Sequence, residues 1–71
     1  MGYSAQYLTS EEWMQLHAAY VAHGSGPEFW QVYQELQQAA IARHGEARIR
    51  IVNEFARTAE RMGAIRKAIL V

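Results

Sequence analysis

Proton transfer, nucleophilic attack and metal ligation would fall in this chain mainly to three histidines, three serines and seven glutamates, because it has no cysteine and no aspartate. Such chemistry needs a nucleophile beside a base, or several ligands converging on one point. The spacing offers neither. Ser4, Ser10 and Ser25 stand in a tail, at a helix start and in a turn. His17 falls in the middle of an apolar helix face, where a histidine is more often a packed residue than a base. His23 and His44 stand near predicted helix ends, where partial positive charge is favourable. No two histidines are four apart on one helix. The expectation is a protein that is not an enzyme and holds no cofactor and no metal.

Recognition is better supplied than reaction. Trp30 and Ile41 fall off the main apolar stripe of their helix, on a flank shared with Gln34 and Gln37. Aromatic residues on such flanks are common interface anchors, although a tryptophan also often just covers the edge of a small core. These four are the predicted partner-binding residues.

Charge is segregated along the chain. Residues 1–42 hold four Glu and no Lys or Arg, giving −4. Residues 43–71 hold seven bases and three Glu, giving +4 and a net charge of zero. The acidic half of one copy could face the basic half of another, or Arg43, Arg50, Arg57 and Arg61 could meet an anionic partner. The plain alternative is a solvated face, since Glu46, Arg50, Glu54, Arg57 and Arg61 fall on one stripe with mostly alternating signs. DNA-groove reading by the second helix is disfavoured, because it carries Glu28 and Glu35 and no base before Arg43.

The elements that must position these residues are helices. Residues 1–8 read as a tail. Thr9 and Glu12 form a capping box, with Leu8 and Trp13 at the staple positions, and Gly24 can end the helix. At about 100° per residue, one face of this first helix collects Trp13, Met14, Leu16, His17, Tyr20 and Val21. Pro27 at a first helical position opens a second helix, with Phe29, Val32, Tyr33, Leu36, Ala39 and Ala40 as its apolar stripe. Gly45 breaks it before a third. The predicted helices span about 10–23, 27–44 and 46–70, with a turn at Gly45 preferred over one long bent helix. Residues 48–52 alternate as a strand would, and residues 64–71 could be extended, but no third strand is found to pair with them.

The third helix carries a heptad-like seam of Ile51, Phe55, Ala59, Met62, Ile65 and Ile69. Its apolar arc is wider than packing on two neighbours requires. A chain of 71 residues buries little surface alone, and a core this small rarely supplies more than about 3–5 kcal/mol. With no disulfide available, a partner subunit is the remaining source of stability. The fold predicted is therefore an all-α, three-helix domain, a short N-terminal helix packed on an antiparallel helical hairpin, forming a homodimer through that seam.

Half the residues are apolar, which excludes a disordered chain. No apolar run approaches the ~18 residues of a membrane span. The N-terminus lacks the basic-then-apolar pattern of a signal peptide, so the protein reads as cytoplasmic. The function expected is a small adaptor or inhibitor acting on a larger protein through helical surfaces. A nucleic-acid binder using the basic third helix and a self-assembling structural subunit are the alternatives.

Overall fold

The computed structural model describes residues 7–67. Within them the chain forms three helices: α1 (Ser10–His23), α2 (Pro27–Arg43) and α3 (Arg48–Met62), with a single 3-10 turn, Gly45–Ala47, between the last two. There is no strand among the described residues. Residues 48–52, which alternate like a strand, open α3 instead.

The capping box starts α1. The Thr9 hydroxyl accepts from the Glu12 backbone N–H at 3.1 Å, and the Glu12 carboxylate accepts from that of Thr9 at 3.1 Å. Gly24 ends it at φ 63°, a conformation costly for a residue with a Cβ. Pro27 opens α2 at a position where its missing N–H costs nothing.

α3 ends at Met62, not near residue 70. Gly63 adopts φ 94°, its N–H donates to the Glu60 carbonyl at 3.1 Å, and the Ala64 N–H donates to the Ala59 carbonyl at 2.9 Å. This is a Schellman stop. Gly63, inside the predicted 46–70 span, is the residue that terminates the helix. Ala64 tucks back into the core, an apolar contact that frequently accompanies this motif.

Contacts along the helices fix their directions. Phe55 meets Tyr33 edge-on at 5.5 Å while Ile51, further back on α3, packs with Ala40, so α2 and α3 are antiparallel. Tyr20 meets Phe29 at 5.8 Å while Glu12 reaches Arg43, so α1 and α2 are antiparallel as well. Two apolar clusters fill the space between them. One gathers Leu8, Ala40, Ala47, Ile51 and Phe55, and the other Leu16, Phe29, Ala59 and Ala64. Tyr33 and Leu36 touch both and make the core continuous.

The buried face of α1 is rotated from the face its apolar residues suggest. Glu12 and Leu16 are buried and Trp13, Ala19 and Tyr20 half-buried, whereas Met14, His17 and Val21 are exposed. The cause is polar. Glu12 must face α2 to reach Arg43, which turns the helix by roughly 80° at 100° per residue. On α2, Ala39 is exposed while Trp30 and Ile41 are half-buried.

Candidate protein-binding surfaces

The predicted dimer seam is largely absorbed by the chain's own core. Ile51, Phe55 and Ala59 are fully enclosed and have no surface left for a second copy. Met62 and Ile65 are half-buried against the Leu16 cluster. Ile69 lies outside the described residues. The wide arc of α3 is filled from two sides. Leu8 covers one part and α1 with Ala64 covers another, and neither follows from helical periodicity alone. Thr58, absent from any apolar pattern, is fully buried too. Its hydroxyl donates to the Glu54 carbonyl at 2.9 Å, which lets it sit among apolar neighbours.

Of the four predicted partner-binding residues, three come together. Gln34, Gln37 and Ile41 line a shallow groove between α2 and α3, completed by Gln38, Arg48 and Val52, with a volume near 200 Å³. Ile41 and Val52 are half-buried, while Gln34, Gln38 and Arg48 are exposed. Trp30 is elsewhere. Its Nε1 donates to the Ser25 carbonyl at 2.9 Å, and its ring packs edge-on to Phe29 at 4.7 Å and Tyr33 at 5.0 Å. Trp30 therefore closes one end of the core and ties the α1–α2 turn to it.

The predicted anion-contacting residues also separate. Arg43 is committed to the fold. Its guanidinium grips both Glu12 carboxylate oxygens at 2.9 and 3.1 Å and donates to the Tyr7 carbonyl at 3.4 Å. Burial alone would push the Glu12 carboxyl up. The Arg43 hydrogen bond and charge, with the Thr9 contacts, outweigh it and hold Glu12 below the usual glutamate range. The same contact raises Arg43. Arg50, Arg57 and Arg61 remain exposed, seven and then four residues apart on the outer side of α3. Glu54, between them in sequence, turns to the N-terminal segment. One carboxylate oxygen accepts from the Tyr7 and Leu8 backbone N–H groups at 2.8 and 2.7 Å.

The three histidines stand apart. His17 is exposed and stacks on Trp13 at 4.9 Å, His23 is exposed, and His44 meets the Tyr7 ring at 5.5 Å. No three His or Glu side chains among the described residues gather as a metal site would need. No helix among them is long and apolar enough to cross a membrane. Comparison of the chain with protein-family models, curated proteins and solved structures gave no match.

Met14 and Val21, which periodicity places on the apolar face of α1, are exposed instead, as is Ile49 at the start of α3. Val21 is 71% exposed, Met14 63% and Ile49 62%. Met14 and Val21 lie seven apart on α1 beside exposed Ala18 and Ala22. A tally of apolar residues places them in the core, and only the Glu12–Arg43 pair signals otherwise.

Proposed function

We propose that this chain is a non-catalytic protein-binding domain, an adaptor or inhibitor that occupies a site on a larger protein through the α2–α3 groove. The composition of that groove carries the reading. An apolar floor of Ile41 and Val52 is rimmed by three glutamine amides and one arginine. Each amide both donates and accepts, which suits the peptide groups of a partner, and the Arg48 fork suits a carboxylate. A volume near 200 Å³ falls below the roughly 300–1,000 Å³ of small-molecule sites. It fits one apolar side chain of a protein segment with an acidic residue beside it.

Affinity capture of the tagged protein from lysate, with and without nuclease, tests this. Replacing the exposed rim residues, Gln34→Arg with Gln38→Arg, should abolish capture of a stoichiometric protein and leave the circular dichroism spectrum unchanged. Undiminished capture by that variant would remove the groove from consideration. Capture lost on nuclease treatment would favour the second reading, a nucleic-acid binder. The aligned Arg50, Arg57 and Arg61 are the observation behind it, and its affinity would fall steeply with salt.

A further inference from the structure

Two solvent-facing rows on different helices match in spacing and oppose in sign. Glu28 and Glu35 are exposed on α2, and Arg50 and Arg57 are exposed on α3. Each pair is seven residues apart, about 10.5 Å along its helix. Seven residues is close to two full turns, so each pair points one way. The guanidinium groups of Arg50 and Arg57 make no ion pair or hydrogen bond among the described residues. The α1–α2 half has no basic residue before Arg43, whose charge is already committed to Glu12.

We propose that a second copy of this chain supplies the partner for the basic row: the Glu28–Glu35 line of one molecule docks on the Arg50–Arg57 line of the next. Equal spacing lets both charges pair at once, whether the helices run parallel or antiparallel. Ile49, 62% exposed beside Arg50, gives the basic face an apolar contact. Zero net charge leaves little overall repulsion to keep copies apart. The two faces differ, so the contact is head-to-tail, and each added copy presents one free face of each kind. Exposed ion pairs are individually weak and screened by salt, so the association is dilution-sensitive and electrostatic. It uses neither the α2–α3 groove nor the enclosed residues of α3.

Sedimentation velocity of the full chain over a concentration series, at low and high salt, provides the test. The average mass should rise with concentration at low salt and return to the monomer at high salt. Two charge-reversed variants, E28R/E35R and R50E/R57E, should each remain monomeric. Their equimolar mixture should associate again, because one then offers two basic faces and the other two acidic faces. Circular dichroism checks that both fold. If reversal at the first turn of α2 reduces helicity, the pair E35R and R57E replaces them. A wild-type chain that stays monomeric throughout overturns the proposal, as does a mixture that fails to associate. Monomers that bind a DNA duplex through Arg50 and Arg57 would equally overturn it.

Discussion

Glu12 does three things at once, and its chemistry sets how α1 sits. It completes the capping box, accepts a two-pronged arginine and turns its face of α1 inward. Its side chain is 12% exposed, while that of Arg43 is 41% exposed, so solvent weakens the pair relative to a buried one. Its carboxyl is held below the ordinary value of 4.5. The folded state therefore favours the ionised form. The resulting stability is fully present above 4.5 and is lost as pH falls through the lowered folded value. Thermal melts of the wild type and Glu12→Gln from neutral pH downwards should show a gap that closes on the acid limb. A gap constant across that limb would contradict the assignment. Tyr33 moves the other way, its phenol pushed up by burial.

Helix ends decide where each element stops, and α3 shows the consequence. Gly63 at φ 94° has the Tyr20 hydroxyl 3.2 Å from where a Cβ would stand. That hydroxyl donates to the Gly63 carbonyl at 3.1 Å, tying the end of α1 to the end of α3. Gly63→Ala combines a left-handed alanine with this crowding and should destabilise by about 1–2 kcal/mol, read from urea melts. Gly24→Ala should cost at least as much although no atom lies within 4 Å of its would-be Cβ, because φ 63° with ψ −142° lies outside the left-handed helical well in a region that only glycine adopts readily. A Gly63→Ala variant as stable as the wild type would mean that neither the left-handed backbone nor the Tyr20 contact is strained there. Helix starts were legible in sequence because Thr9, Glu12 and Pro27 act on their own neighbours. The end of α3 was not, because apolar residues continue beyond Gly63 and mimic the helical pattern.

Across the molecule, the small core depends on a few large side chains shared between clusters. Phe55 is fully enclosed and meets Tyr33, which bridges both clusters. Phe55→Ala should cost about 3–5 kcal/mol, comparable with everything a core this small supplies. The variant should be largely unfolded at room temperature by circular dichroism. Trp30→Ala is expected to lower the melting temperature but spare the fold. Trp30 is only half-buried, so its loss should fall below the ~3–5 kcal/mol of a fully enclosed aromatic. Retention of the wild-type melting temperature would contradict the end-of-core role of Trp30 and return it to the list of free surface anchors.

Sequence alone determined what acts over short chain distances. Caps, proline and periodicity specify three helices and no strands, and Gln34, Gln37 and Ile41 share one side of α2 through simple helical spacing. Tertiary structure decided which face of each helix is used. Periodicity gives the width of an apolar arc but not what covers it. Leu8, held through Glu54, and Ala64, folded back past Gly63, fill the arc of α3 that resembled a dimer seam. The Glu12–Arg43 pair spans 31 positions and rotates α1, moving Met14 and Val21 from expected core to surface. Both outcomes depend on contacts between residues far apart in the chain, whose energies no local pattern encodes.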